Sequence, residues 1–339
     1  MSTTMRAAML RRIPTDQLSI EEAPRPRLER PDDVIIKVEA CGICGTDLHI
    51  MEGHSYRPDL PFVLGHEPAG TVVEAGRAAS EWLGKRVVIT LFTGCGHCQE
   101  CLAGNERLCA NVVSDTGVFG VWGGYADCLL VHAAQLLEVP ARLTGPQAAS
   151  LVDAGATAAN SVRVAMTREP ASVLILGAGP IGLLSAEMLR ANGVDVQMTQ
   201  RSPRRRAAAQ RWGYEVFGAI GETRGGFDAV IDATGSPAVF NDGVKALGPR
   251  GKYILAGYAI VPNADFAEVS HKEAVIHGIR SGSRHDLATI VGMAAAGTVR
   301  LPEIMTWPLA GINDAITALK DRRVEGKAVI IPASYSPGE

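Results

Sequence analysis

The 339-residue sequence has few aromatic residues, little excess charge and no long uninterrupted apolar segment. Phe, Trp and Tyr make up 5% of it, and the formal net charge is -3 at pH 7. Because the net charge is close to zero and slightly negative, we expect neither nucleic acid nor an anionic membrane as a partner. The most apolar segment, 173–189, is interrupted by glycines and a proline, which favours a strand, a turn and a helix over a membrane span.

The amino-terminal segment also lacks the apolar stretch of an export signal. The seven cysteines are an odd number, which disfavours a framework of disulfides in a chain of this length. We therefore expect a soluble cytoplasmic protein. Four of the cysteines fall between positions 95 and 109, and this clustering points to a metal.

The pattern of the sequence changes near residue 155. Before that point, short β segments alternate with turn-rich loops, at 5–9, 34–40, 70–75, 85–90 and 123–131. After it, strand and helix patterns alternate: strands at 172–176, 195–199, 227–233 and 252–257, and helices at 181–191 and 203–212. Such alternation predicts a doubly wound parallel sheet in an α/β fold. Two further helices are predicted at 286–296 and 311–320, and a strand at 327–331. The end of the chain, 333–339, is expected to be frayed.

The strongest metal signal is the spacing Cys95-x2-Cys98-x2-Cys101-x7-Cys109. Four thiolates this close together can complete a tetrahedral shell around Zn²⁺ without help from elsewhere in the chain. A complete shell leaves no position for substrate, so the pattern predicts a structural zinc. The alternative, four unrelated free cysteines, is disfavoured by the shortness of the window.

Cys44 and His66 are a second set of candidate metal ligands, and each is adjacent to a glycine in the sequence. A catalytic zinc takes three protein ligands and keeps a fourth position for water or substrate. Spacing alone leaves open whether these two residues bind a metal or only pack in the core.

A glycine pattern directly follows the apolar strand predicted near residue 172. Gly177, Gly179 and Gly182 have the spacing G-x-G-x-x-G, and Pro180 and Ile181 open the helix. The first glycine allows a tight turn, the second lets the backbone approach a pyrophosphate, and the third lets helix and strand pack closely. Because the pattern joins a strand to a helix, it predicts dinucleotide binding at the helix N-terminus.

The end of the next predicted strand bears on which dinucleotide is bound. NAD-binding folds place Asp or Glu about 20 residues beyond the glycines, where it holds the ribose 2′-hydroxyl. Here Gln200 occupies that place, followed by Arg201, by the N-cap candidate Ser202 and by a run of arginines that includes Arg205. Without a carboxylate a 2′-phosphate is not repelled, and the guanidinium groups can pair with it. NADP(H) is therefore favoured over NAD(H), with a solvated basic helix face as the alternative.

Taken together and in order, these motifs resemble the medium-chain, zinc-containing alcohol dehydrogenase family over nearly the whole chain. The similarity extends to the segments DATG at 232–235 and EGK at 325–327. It implies a mostly β, GroES-like catalytic domain formed by 1–154 and 281–339, and a Rossmann dinucleotide-binding domain at 155–280. It also implies two zinc ions per chain and a homodimer or homotetramer.

The resemblance assigns roles around the catalytic zinc. Asp153 matches the third ligand, although an aspartate there could also simply begin a helix. Glu67 matches a residue beside the metal that can approach it. Asp47 matches a carboxylate that orients the histidine ligand, the usual support for a metal-bound imidazole.

The resemblance also implies residues for proton transfer, substrate and cofactor. Thr46 matches a hydroxyl that hydrogen-bonds the substrate oxygen, and His49 the outer end of a proton relay, with a plain surface histidine as the alternative. Thr234 and Lys327 are expected near the cofactor, Lys327 at the pyrophosphate. Aromatic residues of the substrate pocket are then expected at two positions, Phe92 and Trp122, although both could be ordinary core.

The function implied is that of a zinc-dependent oxidoreductase transferring hydride between NADP(H) and a small alcohol, aldehyde or ketone. A polyol or cyclitol dehydrogenase of a biosynthetic pathway is one alternative. A zinc-independent enone or quinone reductase and a cofactor-binding protein without turnover are the others, and the candidate zinc ligands disfavour both.

Overall fold

The computed structural model describes residues 2–258 and 260–332. Its strands are β1 (Thr4–Leu10), β2 (Ser19–Pro24), β3 (Asp33–Gly42), β4 (Phe62–Val63), β5 (Glu67–Ala75), β6 (Arg86–Ile89), β7 (Phe92–Thr93), β8 (Ser114–Asp115), β9 (Cys128–His132), β10 (Leu136–Glu138), β11 (Ser172–Leu176), β12 (Asp195–Thr199), β13 (Glu215–Phe217), β14 (Phe227–Asp232), β15 (Leu247–Leu255), β16 (Val275–Gly278), β17 (Ile304–Pro308) and β18 (Lys327–Ile331). Its α-helices are α1 (Gly45–Met51), α2 (Gln99–Leu102), α3 (Gly145–Ala149), α4 (Ala154–Ala165), α5 (Pro180–Ala191), α6 (Pro203–Gln210), α7 (Phe240–Ala246), α8 (Phe266–His271), α9 (Arg284–Ala296) and α10 (Ile312–Lys320). The terminus predicted to be frayed, 333–339, lies outside the described residues.

The chain divides into two compact units. Unit 1 comprises Met1–Asp153, Ser283–Ala295 and Glu303–Glu339, and unit 2 comprises Ala154–Gly282 and Ala296–Pro302. The sequence analysis assigned residues 281–339 to the catalytic domain, whereas the structure groups the short segment Ala296–Pro302 with unit 2.

A buried carboxylate explains why this short segment belongs to unit 2. Glu187 on α5 is 4% exposed and accepts the backbone N–H of Arg300 at 2.8 Å and the hydroxyl of Tyr214 at 2.7 Å. Burial raises the pKa of Glu187, but the hydrogen bonds from Arg300 and Tyr214 and the charge of Arg190 together outweigh it and leave the pKa below its ordinary value. The ionised carboxylate thereby ties the segment to the helix of the glycine motif.

Unit 1 is built mainly from antiparallel β structure. One sheet has the order β2-β1-β4, and a larger one has the order β10-β6-β5-β3-β18-β17, with β9 also paired to β3. Alternating apolar residues of these strands, together with α10, form one contiguous buried cluster. The small β7-β8 ribbon flanks the four-cysteine segment.

Unit 2 contains one six-stranded sheet in the order β13-β12-β11-β14-β15-β16, and all of its pairings are parallel. The order turns back at β11, the strand that precedes the glycine motif. This is the doubly wound arrangement in which ligands bind at the carboxyl ends of the strands. The predicted parallel sheet is confirmed.

Three local predictions differ from the structure. The strand predicted at 123–131 begins only at Cys128, because the N–H groups of Gly123 and Gly124 donate to the carbonyls of Val63 and Gly65 instead of pairing with β3. The loop predicted between the clustered cysteines contains the short helix α2 and a 3₁₀ turn. Helices α1, α3, α4, α7 and α8 were not predicted. Within the described part of the chain, no helix has the length and apolar character needed to cross a membrane.

Candidate zinc and cofactor sites

Four side chains of unit 1 lie close together: the three predicted ligands of a catalytic zinc and the glutamate predicted beside it. Cys44, His66, Glu67 and Asp153 each offer a ligand atom, and these atoms all lie within 4.8 Å of one another. Cys44 is the N-cap of α1, the histidine precedes β5, and the aspartate precedes α4. Three separate parts of the chain therefore supply one site.

The separations within this cluster fit a tetrahedral zinc. Asp153 Oδ2 lies 3.6 Å from Cys44 Sγ and 3.7 Å from His66 Nε2. Sulfur, nitrogen and oxygen ligands at ordinary zinc bond lengths lie about 3.4–3.6 Å apart. His66 is 2% exposed, so its imidazole and its partners are withdrawn from bulk water.

The histidine is held from behind by Asp47. Its Nδ1 lies 3.5 Å from Asp47 Oδ1, which leaves Nε2 facing Asp153. Burial would lower the pKa of His66, but the Asp47 charge and hydrogen bonding to Asp153 raise it well above its ordinary value. The same arrangement, a carboxylate behind an imidazole, orients histidine ligands at metal sites.

Tyr125 supports this carboxylate and was missed by the sequence analysis. Its hydroxyl donates to Asp47 Oδ2 at 2.9 Å and to the Gly42 carbonyl at 3.2 Å, while the Cys44 N–H donates to the same Oδ2 at 2.8 Å. Burial, reinforced by the charge of Asp47, raises the pKa of Tyr125 well above its ordinary value, so the phenol remains a donor. No local motif marks this residue, which lies 78 positions from its partner.

Glu67 is fully buried and ion-paired with Lys327. The lysine Nζ lies 2.6 Å from Oε1 and 2.5 Å from Oε2, and the lysine is only 4% exposed. Burial would lower the pKa of Lys327, but the Glu67 charge raises it. A Cβ at Gly42 would stand 2.0 Å from Glu67 Oε2, so the pair requires glycine there. The structure thus engages Lys327 with a carboxylate, and its expected contact with a pyrophosphate remains a prediction.

The two residues expected to transfer protons both lie on α1. Thr46 Oγ1 is 3.8 Å from Cys44 Sγ, beside the candidate zinc ligands. His49 lies in the last turn of the helix and is exposed. The helix thus carries one hydroxyl near the cluster and one imidazole in contact with water.

The four clustered cysteines form a second, local metal site. The Sγ atoms of Cys95 and Cys101 are 4.0 Å apart, and those of Cys98 and Cys109 are 3.8 Å apart. Thiolates about 2.3 Å from a tetrahedral zinc are separated by about 3.8 Å. Desolvation and the neighbouring sulfurs raise the pKa of Cys101 to about 12, whereas backbone hydrogen bonds at His97 and Cys98 lower that of Cys95 to about 6. A cation among the sulfurs would favour the thiolate form of all four. The residues therefore fit the predicted structural zinc.

The expected substrate aromatics lie in different surroundings. Phe92 is 6% exposed and opens β7, where it pairs with Asp115. Trp122 lines a cleft of about 460 Å³ together with Cys128 and His132. None of the four candidate catalytic ligands lines that cleft. Contact of either aromatic residue with substrate remains a prediction.

The glycine motif of unit 2 has the geometry of a phosphate-binding turn. Gly177 follows β11 with φ +96°, and Gly179 is the N-cap of α5. A Cβ at Gly182 would stand 1.9 Å from the Gly177 carbonyl oxygen, so the helix can begin there only with glycine. Pro180 and Ile181 begin the helix, and a Cβ at Gly179 would meet no atom within 4 Å. Unpaired N–H groups at such a helix N-terminus favour an anion.

The end of β12 carries no carboxylate at the place where NAD-binding folds have one. Gln200 accepts the backbone N–H of Ser202 at 3.1 Å, and Ser202 caps α6 by accepting the Arg205 N–H at 3.5 Å. Arg201 is exposed. Thr234 lies on the neighbouring strand end, with its methyl group close to Gly177. The predicted cofactor residues of unit 2 thus lie at the carboxyl ends of adjacent strands.

Comparison with known proteins agrees with this geometry. The model described as alcohol dehydrogenase GroES-like domain matches residues 30–141, and the one described as glucose dehydrogenase C-terminus matches residues 142–306. An alcohol dehydrogenase of Geobacillus stearothermophilus is 30% identical over 330 residues, which cover 92% of this chain and 95% of that protein. The chain belongs to the zinc-containing medium-chain alcohol dehydrogenase family.

Two further similarities fall within this family assignment. The D-arabinose 1-dehydrogenase (NADP(+)) of Saccharolobus solfataricus is 29% identical over 348 residues, covering 96% of this chain and 97% of that one. A thermostable alcohol dehydrogenase from Pyrobaculum aerophilum has a TM-score of 0.88 and 28% identity, covering 97% of this chain and all of that one. The predicted family and fold class, a GroES-like domain with a Rossmann domain, are confirmed. As a member of this family, the chain is an oxidoreductase that acts on small molecules.

Proposed function

We propose that this chain is a zinc-dependent dehydrogenase or carbonyl reductase that transfers hydride between NADP(H) and a small alcohol, aldehyde or ketone. The observation that carries the proposal is the convergence of Cys44, His66 and Asp153, three donors of the kinds that catalytic zinc takes. Asp47 behind the imidazole is the second feature expected of a working metal site. The four-cysteine cluster would hold the second, structural zinc.

The side chains around the cluster supply the acid–base part of the reaction. A zinc held by the three ligands would act as a Lewis acid toward an alcohol or carbonyl oxygen. Thr46 Oγ1 would take up the hydroxyl proton of an alcohol substrate while releasing its own, and the exposed imidazole of His49 would accept the proton released outward and deliver it to water. A bound nicotinamide would supply the acceptor for the hydride of the carbinol carbon, and in the reverse direction the hydride donor for a carbonyl carbon.

The preference for NADP(H) rests on charge at the end of β12. Gln200 removes the negative charge that would repel a 2′-phosphate, and Arg201 and Arg205 add positive charge. Gln200→Asp should restore the repulsion and lower the ratio of kcat/KM with NADPH to kcat/KM with NADH by about 10–100-fold. This range corresponds to a charge contact of about 1.4–2.7 kcal/mol. A wild-type enzyme that prefers NADH would contradict the assignment.

A polyhydroxylated substrate is a second candidate. Two similarities favour it: residues 142–306 match the glucose dehydrogenase C-terminus family model, and the chain is similar to a D-arabinose dehydrogenase. Polyols and cyclitols present several hydroxyl groups, so a polar pocket beside the zinc would be needed to recognise them. Activity on sugar alcohols or cyclic polyols, exceeding that on simple alcohols, would select this candidate.

A homodimer or homotetramer is the assembly we infer. Strand β16 ends the sheet of unit 2 with one neighbour, β15, among the described strands. Val275 on this edge is 38% exposed, and Phe266 on the preceding helix is 61% exposed. An open edge bordered by apolar side chains suits pairing with a second copy. Val275→Asp should lower the mass measured by light scattering, whereas Leu83→Asp, at another exposed apolar position, should not.

The decisive experiment follows absorbance of the reduced cofactor with zinc-loaded protein, NADPH or NADH, and a panel of aldehydes, ketones and polyol-derived ketones. Turnover with NADPH is expected, together with two zinc ions per chain by elemental analysis. A single zinc that is lost in a variant of the four-cysteine cluster, and is therefore only the structural ion, would instead indicate a zinc-independent reductase. Full zinc content and NADPH binding without turnover on any compound would indicate a cofactor-binding protein.

A further inference from the structure

A third group of metal-ligand side chains lies at the carboxyl end of α1 and shares no residue with the two zinc clusters. His49, Glu52 and His54 each offer a ligand atom, and these atoms all lie within 4.8 Å of one another. We propose that they form a reversible binding site for a divalent transition-metal ion, such as Ni²⁺, Cu²⁺ or a third Zn²⁺. Occupation of this site would slow turnover by engaging His49.

The backbone brings the two histidines together. Helix α1 ends in a turn in which the His54 N–H donates to the His49 carbonyl at 2.9 Å and the Gly53 N–H donates to the Ile50 carbonyl at 3.0 Å. Gly53 has φ +78°, a conformation that glycine adopts without strain. The chain therefore folds back over the last helical turn, and no large backbone movement is needed to bring the imidazoles to one ion.

The ligand set suits a borderline metal ion. His54 Nδ1 lies 3.4 Å from Glu52 Oε2, close to the separation of about 3.4 Å between nitrogen and oxygen ligands of one zinc. Two imidazoles and one carboxylate favour Zn²⁺, Ni²⁺ or Cu²⁺ over Mg²⁺ or Ca²⁺. The carboxyl end of a helix carries partial negative charge, which also favours a cation.

Exposure and a competing charge make the site reversible. The side chains of His54 and Glu52 are 69% and 37% exposed, so water can enter and complete the coordination shell. Lys320 Nζ lies 3.4 Å from Glu52 Oε1 and competes with a metal ion for the carboxylate. We therefore expect weaker binding here than at the buried cysteine–histidine–aspartate cluster.

The effect on turnover rests on the proposed function, in which His49 passes a proton to water. An imidazole nitrogen whose lone pair is bound to a metal cannot accept that proton. The cation would thus act as an inhibitor without displacing the catalytic zinc.

The test is calorimetric titration of the fully zinc-loaded protein with Ni²⁺ in a buffer that does not chelate metals. One additional equivalent should bind, and His54→Ala should weaken its binding at least about tenfold, the scale seen when a metal site loses a supporting group. Lys320→Gln should strengthen binding, because it frees the carboxylate. His271→Ala, which removes an exposed histidine elsewhere, is the matched control and should change nothing. Absence of the extra equivalent, or equal affinity in His54→Ala, would overturn the site.

Turnover is measured in parallel, with zinc content checked after each addition. Ni²⁺ should inhibit the wild-type protein over the concentrations at which the extra equivalent binds, and it should spare His54→Ala, whose turnover without Ni²⁺ should be normal. Inhibition that persists in His54→Ala would overturn the inhibitory role of this site. Binding without inhibition would leave the cation site in place and remove His49 from the proposed proton transfer.

Discussion

The two candidate zinc clusters differ in how the chain builds them. The four cysteines lie between positions 95 and 109, and the local helix α2 and its flanking turns bring them together. The other cluster draws Cys44, His66 and Asp153 from the start of a helix, the start of a strand and the residue before another helix. Both fit zinc, but only the second depends on how the whole of unit 1 folds.

The ligand types differ as well, and so do the expected functions. Four thiolates close the shell, so the first ion can only hold its loop together. One cysteine, one histidine and one aspartate leave a position for substrate in the second cluster. Removing a ligand from the first should therefore affect stability, and removing one from the second should affect catalysis.

The largest effect is expected for Cys44→Ser. Loss of the soft ligand should reduce kcat at least ~10³-fold, about 4 kcal/mol of activation free energy, while circular dichroism shows a folded protein. Elemental analysis should find one zinc per chain instead of two. Cys128→Ser, which changes a half-buried cysteine outside both clusters, is the control and should keep both zinc ions. Full activity of Cys44→Ser would remove the catalytic assignment of this cluster.

Cys109→Ser tests whether the four-cysteine cluster contributes to stability and not to catalysis. Its Sγ accepts backbone N–H groups from Cys95 at 3.4 Å and Asn111 at 3.3 Å, so both the metal and the loop lose a partner. The thermal midpoint should fall by roughly 5–10 °C as the bound zinc no longer stabilises the folded state. The kcat of the remaining folded protein should stay of the same order. A loss of kcat as great as in Cys44→Ser, with an unchanged midpoint, would erase the distinction between the clusters.

Lys327→Met tests what the lysine beside the catalytic cluster does. Glu67 would be left buried without its counter-charge, and the free energy of unfolding should fall by about 3–5 kcal/mol. Because the pair can be replaced as a unit, Glu67→Gln combined with Lys327→Met should recover most of that loss. A variant of normal stability that binds NADPH more weakly would instead support the predicted contact with the pyrophosphate.

The smallest of these effects is expected for Tyr125→Phe. The phenyl ring keeps the packing, but Asp47 loses a hydrogen bond of 2.9 Å and orients His66 less firmly. Zinc affinity of the catalytic cluster should fall about 10–100-fold in competition with a chelator, as for other residues that support a ligand from behind. The zinc of the four-cysteine cluster should be retained. An unchanged affinity, with a lowered thermal midpoint only, would reduce Tyr125 to a packing residue.

The secondary structure was predictable where a simple period or motif was present. Four of the six strands of the unit 2 sheet (β11, β12, β14 and β15) and helix α5 were predicted from apolar runs and glycines, whereas the two edge strands β13 and β16 were not. Helix α4 was not, because it is rich in alanine and buries polar residues such as Thr157, Asn160 and Ser161 together with its apolar ones. The strand expected from residue 123 begins later, because Gly123 and Gly124 donate to the carbonyls of Val63 and Gly65 instead of pairing with β3.

The amino-acid sequence alone determined the closed four-cysteine cluster and the glycine turn before α5. In both cases the interacting groups lie within one short segment, so spacing and local backbone geometry suffice. The tertiary structure decided that Tyr125 supports Asp47 and that Glu67 pairs with Lys327, 260 positions away. A buried charge or hydroxyl is stable only beside its partner, and the packing of segments distant in the sequence determines which partner that is.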